Sequence, residues 1–245
     1  MGYYAYQNGL IHNHLNQEGG WDSHLECCRS FIKRAIEVYK PGKVTVLGSG
    51  WLLDLPLAEM LEMTEMIYLV DIIHPPEVVR QAGSFKNIIL VEQDITGGLI
   101  EEVWNTKRKY SFFRKLKSLE SIIIPEYAPD FDPGIVISLN ILTQLESQLL
   151  DCLKKWSDIS EEELIRFRKG IQEKHIDFLM KHRSVLITDY AEVLTKKSGE
   201  VTTIPSLFAE LPQGQFSEEW TWNFDLKGRD YYNSRSVIKV ISVAF

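Results

Sequence analysis

Seven short apolar runs, most of them separated by segments of helical spacing, constrain this chain more than any other feature. VTVLG (44–48), MIYLVD (66–71), NIILVEQD (87–94), PGIVISLN (133–140) and RSVLITDY (183–190) each read as a buried strand. A helix opens at Trp21-Asp22-Ser23, with Ser23 and Glu26 spaced as a capping box, and Pro41-Gly42 stops it. Further helices are expected over LLDLPLAEMLEM, over PPEVVRQAG with prolines at its head, from about 99 to 119, and from about 143 to 182 with a break near 157–160. IPSLFAEL reads as a short helix. Strands alternating with helices call for a parallel sheet covered on both faces, because each parallel connection must cross over. The last two runs, EEWTWNFDL (218–226) and SRSVIKVISVAF (234–245), have only LKGRDYYN between them and must form a hairpin. The expectation is therefore an α/β three-layer sandwich with a mostly parallel seven-stranded sheet whose last strand is antiparallel. Residues 1–21 read as a loose arm with at most a short helix, and 22–245 as a single domain.

Ligands of such sheets sit beyond the carboxyl ends of the strands, where the strand order reverses. The first strand runs into Gly48-Ser49-Gly50, a turn whose lack of Cβ atoms lets a ligand approach the backbone. The helix expected directly after it would aim free N–H groups at that ligand. Strand two ends in Asp71, twenty-one residues past Gly50, the offset at which a carboxylate grips the hydroxyls of an adenosine ribose. Strand three ends Glu92-Gln93-Asp94-Ile95, an acid or amide for an adenine amino group beside an apolar side chain for the ring. Strand four ends Ser138-Leu139-Asn140, with Thr143 and Gln144 following, small polar groups at the centre of the sheet.

LGSG, YLVD, EQDI and the terminal hairpin together resemble the class I S-adenosylmethionine-dependent methyltransferases, over about residues 22 to 245. SLNILTQL looks like a bacterial branch of that family. The resemblance implies S-adenosylmethionine as cofactor. Its amino-acid end would lie on Gly48, Ser49 and Gly50, its ribose on Asp71, its adenine against Ile72, Asp94 and Ile95, and its sulfonium near Asn140. Two departures stand out. Leu47 and Trp51-Leu52 flank the turn where the family has an acid and often a third glycine, and Asp54 is the nearest substitute carboxylate. The family's N/D-P-P-Y/F signature is missing, which argues against DNA-adenine and protein-glutamine methylation.

Methyl transfer to a prepared nucleophile is mainly a matter of alignment, and a base helps only a protonated acceptor. The base candidates are Asp189 and Tyr190 after strand five and His24 on the first helix of the domain. An NAD(P)-dependent oxidoreductase competes with this reading but needs a small third residue in G-x-G-x-x-G, where Leu53 stands. A non-catalytic protein that keeps the fold is the second competitor.

Composition narrows the partners. The net charge of −7 over 245 residues disfavours charge-driven binding to nucleic acid, with TKRKYSFFRKLK, whose cations span 107–117, as a local exception read as a solvated helix face. No apolar run is long enough for a membrane span. Three cysteines, two of them adjacent and none in C-x-x-C, fit a reducing cytoplasm. His12 and His14 in IHNHL lack acidic or cysteine partners for a metal, and His175 reads as structural or superficial. The expected acceptor is a small molecule. The aromatic arm (Tyr3, Tyr4, Tyr6, Trp21) stays open between a lid, edge packing and a homodimer contact.

Overall fold

The computed structural model describes residues 2–17, 19–110, 115–154, 157–228 and 234–245. Helices α1 (Tyr3–Asn16) and α2 (Asp22–Tyr39) precede β1 (Lys43–Leu47), α3 (Leu57–Met63), β2 (Met66–Asp71), α4 (Pro76–Ala82) and β3 (Ile88–Glu92). There follow α5 (Leu99–Lys107), β4 (Ile135–Leu139), α6 (Ser147–Lys154), α7 (Glu161–Leu179), β5 (Ser184–Lys196), β6 (Val201–Pro205), β7 (Phe216–Asp225) and β8 (Ser234–Ala244). The sheet order is β3-β2-β1-β4-β5-β8-β7, with β6 paired to β5 off this path. Neighbours β1 to β5 are parallel, whereas β8 runs antiparallel to both β5 and β7. The order reverses at β1 and β4, so the ligand crevice expected of such a sheet opens above Leu47 and Leu139.

Alternating side chains divide between two cores. Val44, Val46, Ile137, Leu139, Val185 and Ile187 pack under α2 and α3, with Phe31, Ile32 and Met60 enclosed there. Leu47, Val136 and Leu186 pack on the other face against α5, α6 and α7, with Leu149, Leu153 and Leu179. Each such fully buried aliphatic or aromatic side chain contributes roughly 1.5–3 kcal/mol. These two layers of helices make the expected sandwich.

Several expectations need correction. The arm contains a 14-residue helix, α1, whose apolar residues follow no clean period. The Tyr4 and Tyr6 side chains lie outside the described residues. Helix α2 begins at Asp22 with Trp21 as N-cap and no side-chain cap bond, so the Ser23–Glu26 capping box does not form. IPSLFAEL is not helical: Ile204 and Pro205 end β6, an eighth strand that folds back on the long extension of β5. Helix α5 stops at Lys107, and residues 111–114 of the basic stretch lie outside the described residues. The helix following the glycine turn starts only at Leu57.

Candidate functional site

A cleft of two joined cavities lies at the switch point. The larger, about 330 Å³, is lined at one end by Gly48, Gly50, Trp51, Asp54, Asp71 and Asn140. At its other end stand Thr143, Arg168, Asp189, Glu192 and Ser206. The smaller, about 70 Å³, is a slot between Ile72, Asp94, Ile95, Ile100, Leu145 and Gln148, with Tyr3 of α1 on its rim. Gln7, Gly48, Asp71, Ile141, Gln144 and Ser147 line both, so the two form one bent groove.

The glycine turn is held by Asp71. One carboxylate oxygen accepts from the Gly50 amide at 2.9 Å and the other from the Ile72 amide at 2.8 Å. Burial raises the Asp71 pKa against these donors. The two glycines serve different ends. A Cβ on Gly48 (φ 80°) would come within 2.7 Å of Ile141 Cβ and 2.9 Å of Leu139 O, so this glycine lets β1 and the β4 loop meet. Gly50 (φ 47°) faces open space, its nearest neighbours at the Cβ position being Gln7 Oε1 and Gly48 O at 4.0 Å. Gln7 is set there by Trp51, whose indole N–H donates to the Gln7 carbonyl at 2.9 Å. Gln7 Oε1, Ser49 Oγ and, in the slot, Gln148 Oε1 are shut off from water with no hydrogen-bond partner among the described residues. Buried oxygens left this way are costly, and the two amide oxygens can be satisfied only by a donor.

Asp94 closes its own turn, one carboxylate oxygen accepting from the Thr96 amide at 2.9 Å and its hydroxyl at 2.6 Å. Ile72 and Ile95 sit in the slot beside it. Ser138 does not face the groove: its hydroxyl meets His175 Nε2 at 2.8 Å inside the core. His175 is accordingly a buried structural residue, its pKa lowered to about 4 by desolvation.

Beneath the glycine turn lies a compact polar cluster. Asn140, held at φ 50°, donates through Nδ2 to Asp54 Oδ2 at 2.9 Å. Non-glycine residues in this region are strained and gather at ligand sites. Burial pushes the Asp54 carboxyl above its usual range. His24 lies flat on Trp222, ring centroids 4.0 Å apart, and its Nδ1 is 3.0 Å from the Trp220 indole nitrogen. His24, Cys28 and Asp54 are close enough together to suggest a cation site. The partners of the ring argue otherwise. An indole N–H only donates, so Nδ1 accepts from Trp220, and Nε2 faces the Asn140 amide nitrogen at 3.3 Å, so both ring nitrogens are already engaged. Cys28, 3.6 Å from Nε2, is held as a thiol by burial and by Asp54. The same reasoning removes His24 as a general base, and burial lowers its pKa to about 3. On α1, His12 and His14 are two residues apart and so point to different sides of the helix.

At the other end, a bulge in β5 matters. The register with β8 skips Tyr190, pairing Asp189 with Val240 and Ala191 with Lys239. Residues three apart on a regular strand face opposite ways, and the bulge brings Asp189 and Glu192 to the same cavity. Asp189 accepts from the Thr143 hydroxyl. Tyr190 is the correction: it lines neither cavity, and its hydroxyl donates to Glu219 at 3.1 Å on an exposed face. Arg168, which no sequence motif marked, donates through Nε to the fully buried Glu146 at 2.8 Å. An acid inside the apolar run LTQLESQLL was the signal available for Glu146.

No family model matches the chain, and no curated protein matches it. Solved structures do align with it. The N-methyltransferase NodS from Bradyrhizobium japonicum WM9, in complex with S-adenosyl-L-homocysteine, shares 9% identity over 89% of this chain and 86% of its own, at a TM-score of 0.39. The 1,6-didemethyltoxoflavin-N1-methyltransferase of Burkholderia thailandensis shares 10% over 99% and 89%, at 0.43. The DhpI–SAH complex shares 11% over 97% and 98%, at 0.30. Overlaps this loose transfer no residue's role. No described helix is long and apolar enough to cross a membrane.

Proposed function

We propose that this chain is an S-adenosylmethionine-dependent methyltransferase acting on a small molecule. The observation that carries the reading is the chemistry around the glycine turn. Helix α3 begins only seven residues after Gly50, with Pro56 at its N-cap position, so the turn does not run directly into a helix N-terminus. A dinucleotide's pyrophosphate depends on such an N-terminus. Here it would instead meet Asp54, Asp71 and the orphaned Gln7 oxygen. Carboxylates and acceptor oxygens suit a ligand that is cationic and rich in N–H and O–H groups, and S-adenosylmethionine carries an ammonium, a sulfonium, a ribose diol and an adenine amine. The residues present fit it. Gln7 Oε1 and Asp54 would take the ammonium end, Gly48 and Gly50 the amino-acid chain, and Asp71, at the junction of the two cavities, the ribose; Ser49, expected with the glycines, is fully buried and lines neither cavity. Ile72, Ile95, Asp94 and Gln148 would hold the adenine, and Asn140 would stand nearest the sulfonium.

When bound, the cofactor supplies a methyl group already activated by positive sulfur. The chain's own residues align and enclose. Asn140 is fixed by Asp54, Trp51 pins α1 across the mouth, and Tyr3 with Leu10 and Ile11 of α1 keeps water from the groove. Asp189, steadied by Thr143, is the carboxylate placed to accept a proton from an acceptor that arrives protonated.

The test is equilibrium dialysis with labelled S-adenosylmethionine. The wild-type chain should retain it, and Asp71→Asn, which loses the charge and keeps one of the two acceptor oxygens that hold the turn, should bind roughly 10- to 100-fold more weakly. Retention of NADH in place of S-adenosylmethionine, or an Asp71→Asn protein that binds as well as wild type, would refute the reading.

A further inference from the structure

The end of the larger cavity away from the glycine turn has its own chemistry, and it bears on the acceptor. Arg168 lines this end. Its guanidinium is fixed twice, by Nε on Glu146 Oε1 and by stacking over the Phe208 ring at 4.4 Å. Its two Nη groups make no hydrogen bond or ion pair with a described residue. Ser206 lines the same end, and its hydroxyl is shut off from water without a partner among the described residues.

Both are mounted on one buried hub. Gln172 Nε2 donates to Glu146 Oε1 at 3.2 Å and to the Ser206 carbonyl at 2.9 Å. Its Oε1 accepts from the Phe208 and Ala209 amides at 2.7 and 3.2 Å. The carboxylate behind Arg168, the ring beneath it and the backbone of Ser206 are thus set relative to one another by a single fully buried amide. A guanidinium fork held in advance, with its outer donors unspent and a hydroxyl beside it, matches a planar or tetrahedral oxyanion.

Resting on the methyltransferase reading, we infer that Arg168 and Ser206 form an oxyanion subsite that anchors the methyl acceptor, a small molecule bearing a carboxylate or a phosphate. Asp189 and Glu192, which line the same cavity, repel further negative charge. They confine the anion to the Arg168 edge and exclude a polyanion such as RNA. Each already accepts from a hydroxyl, Thr143 and Ser236 respectively, and Asp189 faces the part of the acceptor that carries the nucleophile.

The experiment uses acetate and inorganic phosphate as probes, read by the Arg168 Nε–H resonance in two-dimensional ¹⁵N NMR. At least one probe should shift that resonance saturably, and Ser206→Ala should weaken the same titration roughly tenfold. The probe that binds more tightly tells a carboxylate acceptor from a phosphate one. Arg168→Gln alone leaves Glu146 buried without its cation, so Arg168→Gln is combined with Glu146→Gln to preserve the fold, and saturation transfer to acetate should then vanish. No shift with either probe, an unchanged titration in Ser206→Ala, saturation transfer that survives in the double variant, or binding of methylammonium in place of the anions would overturn the inference. S-adenosylhomocysteine is titrated separately. If it fails to bind while the anions bind, the methyltransferase reading falls and the oxyanion subsite stands.

Discussion

The two ends of the cleft are built by different means. At the glycine turn, neighbouring strand ends do the work: Asp71 ends β2 and holds the loop that follows β1, one strand over in the sheet. At the Arg168 end, the Gln172 side chain on α7 gathers the Glu146 carboxylate from the loop before α6 and the backbone of the segment after β6, joining residues 26 to 37 positions apart in sequence. The first kind of site is fixed by backbone and leaves buried acceptor oxygens without partners. The second is a side-chain network with a charge at its centre. Their responses to pH and to substitution should therefore differ in sign as well as size.

The largest expected effect is on the glycine-turn side. His24 has a folded pKa near 3, below the 6.5 of an unfolded histidine. Between these values only the unfolded state binds the proton, so stability is lost as pH falls from about 6.5 towards 3, by about 5 kcal/mol. His24→Phe keeps a ring on Trp222 and should remove this contribution in urea melts across that range, leaving the smaller one of His175, whose pKa is lowered to about 4. Next comes the hub. Gln172→Leu leaves the Phe208 and Ala209 amides and the Ser206 carbonyl without their partner and takes one donor from Glu146, and should cost about 4 kcal/mol in a denaturant titration.

Glu146 should give the opposite pH slope. Burial raises its pKa to about 7 despite Arg168, from 4.5. Between these values the folded state holds the proton that the unfolded state has lost, so stability declines as pH rises, by about 3 kcal/mol. Glu146→Gln should flatten that limb and leave the His24 limb in place. Two limbs of the same sign would break the comparison. The smallest effect sharpens it: Ser49→Ala removes an orphaned hydroxyl, so the free protein should be unchanged or stabilised by up to about 1 kcal/mol in thermal melts.

The contrast also sets what could be read from the sequence. The doubly wound sheet, the closing hairpin and Asp71, Ile72, Asp94, Ile95 and Asn140 at the strand ends were legible, because strand periodicity and strand-end offsets are local signals. Helix α3 was expected too early, since Leu52 and Leu53 keep the apolar pattern while the backbone at Leu52 turns to φ 61° and delays the helix. Tyr190 was misplaced by one bulge, which no periodicity announces. Gln7 and Gln148 stand at no strand end and in no motif, and Arg168 became a site residue only through Glu146 and Gln172, far from any motif.

The most direct measurement is a crystal structure of the chain with S-adenosylhomocysteine. The account predicts the adenine between Ile72 and Ile95 with its amine near Gln148, the ribose at Asp71, and the amino-acid end along Gly48 to Gly50 with its ammonium towards Gln7 and Asp54. A structure with that groove empty at saturating ligand, or with NADH seated at the glycine turn instead, would contradict it.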